Sequence, residues 1–475
     1  MKDQDRTRFN ALLSWSAHHG GTLHPSLEIY HDKLTKFSLR VNPSLPQPLT
    51  PPFTAVTCPA VTTLSYLNAL IDGPLMVHQP LSLSKSSRTA TFPPSFMQTT
   101  PPHVIGRFFL IHEYLKGEDS FWYPYICTLP QPESISSWQL PAFWAGEDVD
   151  MLEGTNAGAA VGEILENVRA EYKNARRVLR EEDPGWKERI KDYGRVLYHW
   201  AFCVFTSRSF RPSLVLADDL TKKMLGDGGV EVDDFSVLMP VFDVANHCLT
   251  ARYAWEKKVD GHGTTCCGLV CGDGYAPGEQ VFNNYGMKTN AELLLGYGFV
   301  LGETDGVHND YVHVRKRAAA GDGEEEGEKK KKKTDFLISL RPLGHPSSLV
   351  GRARPVPEGM GKGMKKVVMA GRFGHCEPGL VVDLARAVAT VEELELLEKD
   401  SDEGGEDEVP AGLEELVQRL RDALSAKLAY DYQRLKEAEP EEVEDGQLSP
   451  NQALALVYRK QCEKVLVAAL ESLED

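Results

Sequence analysis

Two short stretches concentrate the side chains able to do chemistry: Asp243-Val244-Ala245-Asn246-His247 and Asn284-Tyr285-Gly286. The first offers a carboxylate, an amide and an imidazole in one turn-length segment. The second sets a phenol at a glycine turn; its apolar ring and its hydroxyl, which both donates and accepts, suit the closed end of a narrow apolar channel. Further upstream, Ser207-Arg208 supplies a guanidinium, whose planar fork matches a carboxylate. Taken singly, Asn-His reads as a turn with a satisfied imidazole, and Tyr-Gly as a strand end. Cys266, Cys267 and Cys271, near His262 and His247, invite a zinc reading. Adjacent cysteines on a strand point to opposite faces and do not readily share one tetrahedral ion, so no metal is expected. There is no P-loop and no Ser-His-Asp pattern. Gly321 and Gly323 sit in a charged segment rather than between a strand and a helix, so they make no dinucleotide fingerprint.

Elements of two textures must position these groups. A short helix around Phe9, Leu12, Leu13 and Trp15 runs to Gly20-Gly21, with an extended piece to residue 30. Residues 42–59 and 80–103, rich in Pro, Ser and Thr, read as turns and loops, with an apolar, packable Val61–Leu70 between them. Val104, Phe108, Ile111 and Leu115 recur at helical spacing and Gly117 follows as a C-cap, so a helix is expected there. Residues 156–182 and 187–206 read as two further amphipathic helices. Short apolar runs at Val237–Val244, Thr264–Val270 and Gln280–Asn284, broken by Gly, Asp and Asn, read as short strands, and residues 290–297 as a short helix. After a linker of Gly, Glu and Lys at 318–334, Thr334–Leu340 is strand-like and the remainder helical. Leu413, Leu416, Leu420, Leu424 and Leu428 form one helical stripe. Ser449-Pro450-Asn451-Gln452 supplies an N-cap, a first-turn proline and a capping-box glutamine for the last helix.

Together and in this order, the Asn246-His247 segment, the strand and turn Gly278–Phe282, Asn284-Tyr285-Gly286 and the run Asn290–Val300 resemble the SET domain. They resemble in particular its branch typified by the Rubisco large-subunit lysine methyltransferase. Leu115–Trp122, Pro124-Tyr125, Leu129-Pro130, Leu152–Thr155, Ser207–Phe210 and Asn309–Val312 match further stations, and the similarity covers most of residues 9–315. The resemblance implies an α+β fold: a β-rich SET domain of short strands split by a helical insertion, then a mostly α-helical C-terminal domain. The segments expected are 1–103, the N-terminal part of the SET domain; 104–206, the helical insertion; 207–317, its C-terminal part; 318–334, the linker; and 335–475, a helical substrate-binding-like domain.

It further implies an S-adenosyl-L-methionine (AdoMet)-dependent protein-lysine N-methyltransferase acting on a non-histone protein. Tyr285 takes the catalytic role. Asn246, His247, Asp243, Arg208, Ser207 and Arg40 are expected at the cofactor, and Tyr297, Phe299 and Phe210 at the substrate. The stretch Lys36–Val41 stands where the family carries a Gly-x-Gly element and contains no glycine; only glycine permits close backbone approach without a Cβ. That departure keeps open a catalytically inactive interaction module, and transfer to a histidine side chain is a further alternative.

Composition bounds the partners. At 475 residues the chain should hold two or three domains. Its formal charge of −17 is concentrated at Glu398–Glu408 and Glu437–Asp445, so nucleic acid is not an expected partner. A basic or lysine-bearing protein segment is. Nine scattered cysteines make no disulfide framework. The N-terminus lacks the apolar core of a signal peptide, and no run is long enough to span a bilayer. A monomer in the cytoplasm, the nucleus or both is expected, with Lys329–Lys333 an import candidate or simply a charged loop.

Overall fold

The computed structural model describes residues 1–33, 35–75, 90–138, 140–182, 184–226, 229–259, 264–315, 335–355, 357, 360–398, 408–440 and 448–474. The chain divides into two compact units, Met1–Gln139 with Leu165–Gly286, and Leu140–Ile164 with Met287–Asp475. With its short antiparallel sheets among many helices, the fold is α+β, as expected.

In the first unit the strands are β1 (Thr22–Leu23), β2 (Leu27–Asp32), β3 (Lys36–Val41), β4 (Phe53–Pro59), β5 (Leu64–Ser65), β6 (Ser209–Phe210), β7 (Val237–Leu238), β8 (Tyr253–Val259), β9 (Thr265–Cys271) and β10 (Gln280–Val281). They form three antiparallel sheets, ordered β1-β4-β9-β8, β10-β3-β2 and β5-β7-β6. The prolines and threonines of 42–59 favour turns and loops over long helices, and within them β4 is a strand. Its β-branched residues Thr54, Val56 and Thr57 suit the pleat, and Ala55, Val56 and Cys58 are buried against β1 and β9. Within 80–103, residues 90–103 carry the short helix Pro94–Thr99, and the following helix already begins at Pro102. The helix expected over 187–206 is two, Pro184–Arg189 and Arg195–Arg208, interrupted where Gly194 caps the second. The strand expected over 237–244 stops at Leu238, and Phe242–Val244 is one turn of 3-10 helix.

The helix Pro102–Lys116 ends at Gly117, whose φ of 59° is the left-handed backbone that only glycine adopts cheaply. It buries Phe108, Phe109 and Ile111, around which Phe96, Trp122, Tyr198 and Trp200 complete an aromatic core.

In the second unit β11 (Tyr311–Arg315) pairs antiparallel with β12 (Asp335–Ser339). Leu413, Leu416, Leu420, Leu424 and Leu428 are all buried, the last four on the helix Glu414–Glu437, which packs on the helix Pro450–Glu474. Ser449 and Gln452 close the capping box: Gln452 N–H donates to Ser449 Oγ (3.1 Å) and Ser449 N–H to Gln452 Oε1 (2.9 Å). Residues 316–334, with Lys329–Lys333, most of both acidic segments, and His262 lie outside the described residues. Among the described residues no helix is long and apolar enough to cross a membrane.

Candidate active site

The Asn246-His247 turn and the Tyr285 strand end, distant in sequence, meet through backbone. Asn283 N–H donates to the Asn246 carbonyl (2.8 Å), Cys248 N–H donates to the Asn283 carbonyl (2.8 Å), and His247 and Asn283 form a parallel bridge. That ladder brings the side chains into register. Tyr285 N–H donates to His247 Nδ1 (3.0 Å), so Nδ1 is unprotonated and a neutral His247 carries its proton on Nε2. The two rings stack at 5.1 Å between centroids with 23° between planes. The Tyr285 hydroxyl donates to the Ala245 carbonyl (3.0 Å). Because that bond uses the hydroxyl proton, the oxygen's lone pairs face whatever approaches as acceptors.

Asp243 sits on the 3-10 turn Phe242–Val244, entered through Val241 at a φ of 68°. Positive φ is an outlier for a β-branched residue, and such strain persists where the surroundings over-determine it. The Asp243 side chain is 2% exposed. It accepts from Tyr125 Oη (2.9 Å) and from Arg208 Nη1 (3.2 Å), which also donates to the Asp243 carbonyl (3.2 Å). Burial raises the Asp243 carboxyl above the ordinary carboxylate range, while Arg208 and the Tyr125 hydroxyl pull it back. Burial works against the Arg208 charge, but Asp243 outweighs it and the guanidinium is held above its usual value. Burial, then Asp243, pushes the Tyr125 phenol far up, so it stays a donor. A third of the Arg208 side chain, 31%, remains accessible.

The other expected site residues are placed as follows. Ser207 Oγ donates back to the Cys203 carbonyl within its helix (2.8 Å). Phe210 stands edge-on to Phe242 (5.2 Å) and to Trp255 (5.7 Å). Arg40 pairs with Glu28 through Nε (2.7 Å) and Nη2 (2.6 Å), and its guanidinium lies 4.8 Å from the Tyr30 ring. The side chains of the glycine-free β3 have partners elsewhere in the first unit: Phe37 packs on Phe9 (4.7 Å), and Ser38 accepts from Gln280 Nε2 (2.7 Å). In the second unit, Tyr297 and Phe299 form an aromatic pair at 6.2 Å, with Lys288 Nζ 5.8 Å from the Tyr297 ring. Burial, with Glu292 adding to it, pushes the Tyr297 phenol up to about 12.

Four residues here escape sequence reading. Tyr125, named from sequence only as part of a matched station, hydrogen-bonds Asp243. Thr35 Oγ1 accepts from Asn246 Nδ2 (2.6 Å). Trp255 Nε1 donates to Asn283 Oδ1 (2.9 Å), as does Asn284 N–H (2.8 Å), while the buried Asn283 Nδ2 has no acceptor among the described residues. Of the four, Tyr125 alone belongs to a matched station, Pro124-Tyr125. Cys266, Cys267 and Cys271 are buried on β9 as free thiols, and burial pushes the latter two up to about 12.

No family model matches the chain. It is 31% identical over 234 residues to the ribosomal lysine N-methyltransferase set10 of Schizosaccharomyces pombe, covering 48% of this chain and 38% of that protein. It is 27% identical over 257 residues to the N-lysine methyltransferase SETD6 of Homo sapiens (52% and 50% covered). It is 24% identical over 245 residues to the actin-histidine N-methyltransferase of Homo sapiens (50% and 36% covered). The chain thus spans half or less of the length of these curated relatives. Among solved structures it is similar to the SET domain of LSMT bound to lysine and AdoHcy, with a TM-score of 0.60 at 16% identity, covering 99% of this chain and 91% of that one. It is likewise similar to Rubisco LSMT bound to AdoMet, with a TM-score of 0.58 at 16% identity and coverages of 100% and 92%. The likeness to these two structures extends over nearly the whole chain and shows that it shares their fold.

Proposed function

We propose that this chain transfers a methyl group from AdoMet to a lysine side chain of a protein. The observation that carries the reading is the Tyr285 phenol held on the Ala245 carbonyl and stacked on His247, in the same turn as Asn246. The residues fit the cofactor's polar parts. Arg208 presents an accessible guanidinium edge, Asn246 an amide, and the buried Asn283 amide has a donor to spare. AdoMet, when bound, supplies an electrophilic methyl group on a sulfonium.

What the chain supplies is alignment and dryness. In-line displacement needs nucleophile and methyl carbon held on one axis with water excluded. A lysine amine has a free pKa near ~10.4 and must lose its proton before it can attack; apolar walls favour the neutral form by desolvation. Tyr285 Oη, its own proton committed to Ala245, accepts an N–H of the incoming amine and so orients its lone pair. Asp243 and Tyr125 hold the Arg208 guanidinium in one orientation. Phe210 gives an apolar wall beside Trp255. Ser207, Tyr297 and Phe299 are assigned by resemblance, the first to the cofactor and the aromatic pair to the target lysine; Arg40, paired with Glu28, is not carried over.

The activities of the relatives support a protein substrate, and the acidic balance of the chain suits a basic, lysine-bearing segment. Incubating the full chain with methyl-labelled AdoMet and a ribosomal protein fraction, followed by peptide mass spectrometry, should yield methyl-lysine with the wild type and a large loss with Tyr285→Phe. No transfer by the wild type, or equal transfer by the variant, overturns the reading. Similarity to the actin-histidine N-methyltransferase favours one second reading, transfer to an imidazole. Methyl-histidine on actin in the same assay would establish it.

A further inference from the structure

Lys36 opens β3 with a φ of 71°, a left-handed conformation that a residue with a Cβ adopts only at a cost. Its chain neighbour Thr35 receives the Asn246 amide on its hydroxyl at 2.6 Å. β3 itself packs against the Phe242–Val244 turn that carries Asp243. The strained residue therefore stands at the edge of the proposed cofactor site.

The charges around it do not balance. Arg208 is paired with Asp243. The Lys36 side chain is exposed, and among the described residues no carboxylate is paired with it. Asp32, opposite Lys36 in the β2–β3 register, is turned to the Thr35 N–H (2.7 Å), to Thr35 Oγ1 (2.9 Å) and to Tyr30. Partial burial, and then the charge of Arg208, hold the Lys36 ammonium below its ordinary range. The Asp243 carboxylate is taken by Arg208 and Tyr125, so the Lys36 ammonium stands at the edge of the site without a carboxylate partner among the described residues. A carboxylate placed there would supply that partner. Arg40, the other cation on this strand, is spent on Glu28 and stacked on Tyr30.

We propose that Lys36, beside Arg208, binds the amino-acid carboxylate of AdoMet, and that its left-handed backbone is retained because it aims this side chain. This rests on the methyltransferase reading above. Lys36 is a binding residue here and takes no part in the transfer step.

The test is titration calorimetry of the full chain with two ligands, AdoMet and decarboxylated AdoMet, which lacks only the carboxylate. Wild type should prefer AdoMet by about tenfold or more, as a charge-assisted contact at a partly screened site would give. Lys36→Gln and Lys36→Gly should each weaken AdoMet by about tenfold while changing decarboxylated AdoMet by less than about twofold, on the same electrostatic argument. The glycine variant is decisive because φ 71° suits it. If Lys36 merely crowds the site, Lys36→Gly tightens AdoMet, and the proposal fails. Unchanged AdoMet affinity in both variants with a binding wild type also overturns it, leaving the methyltransferase reading intact. A wild type that binds neither ligand overturns both.

Discussion

Removing one oxygen atom, by Tyr125→Phe, tests whether the short helix Tyr123–Ile126 braces the site through Asp243. Tyr125 is 1% exposed, and its ring is retained in the variant, so no cavity opens. What is lost is a 2.9 Å bond to the carboxylate of a side chain that is itself 2% exposed. Deleting a hydrogen bond to a charged group costs about 1.5–3 kcal/mol. Arg208 Nη1 still reaches the same oxygen at 3.2 Å, so the lower part of that range, about 1.5–2 kcal/mol, is expected at pH 7. Urea unfolding followed by tryptophan fluorescence reads this well, because Trp15, Trp122, Trp138, Trp186, Trp200 and Trp255 belong to the first unit and only Trp144 to the second. The midpoint should fall with the slope unchanged. The pH dependence follows from the direction of the Asp243 shift. Its folded carboxyl titrates above the unfolded one, so it takes up its proton first in the folded state as pH falls. Once it is neutral, the lost bond is an ordinary one of about 0.5–1.5 kcal/mol, and the variant's deficit shrinks. With Arg208 less firmly held, AdoMet affinity should drop several-fold. A deficit below about 0.5 kcal/mol at pH 7, or one that does not shrink on acidification, would refute a charge-assisted brace.

Other perturbations have equally definite outcomes. Burial, with Lys116 adding to it, lowers His112 from 6.5 to about 4. Between those values the unfolded chain binds more protons than the folded one, so stability is full above pH 6.5 and is lost as pH falls towards 4. At pH 5 the loss should be about 2 kcal/mol, and His112→Gln, which can still meet the Tyr193 hydroxyl now 2.7 Å from His112 Nδ1, should remove that part of the slope. An identical slope in the variant, measured by urea unfolding across pH 7.5 to 4.5, would count against it. In the second unit, Leu420 is fully buried in the stripe on Glu414–Glu437, and Leu420→Ala should cost about 2–5 kcal/mol. Hydrogen exchange of that helix would read the loss, and a change below about 1 kcal/mol would mean that the stripe is not the core it is taken to be.

Which features were readable beforehand follows from how local their causes are. Helices Asn156–Glu182 and Asn290–Tyr297 cover the spans expected, and Pro450–Glu474 begins where its cap and proline place it, because these determinants lie within a few residues. β4 was hidden for the opposite reason. Its composition resembles a loop, and only pairing with β1 and with the remote β9 makes it a strand. The candidate site divides in the same way. Tyr285, Asn246 and His247 were legible because they belong to short motifs whose order could be matched, and the Asn283–His247 bridge then joins them as that order implies. Tyr125 meets Asp243 across 118 residues and Asn246 meets Thr35 across 211, and no pattern within either partner's neighbourhood announces the contact. The loss of glycine from β3 illustrates the limit most directly. From sequence, side chains at 36–41 threaten to crowd a ligand; in the folded chain Phe37, Ser38 and Arg40 are each engaged within the first unit, by Phe9, Gln280 and Glu28. Of the cations on this strand, Lys36 is left exposed, at a φ of 71°. On the proposal made above for Lys36, a substitution that reads as damage becomes a change in the charge offered to the ligand.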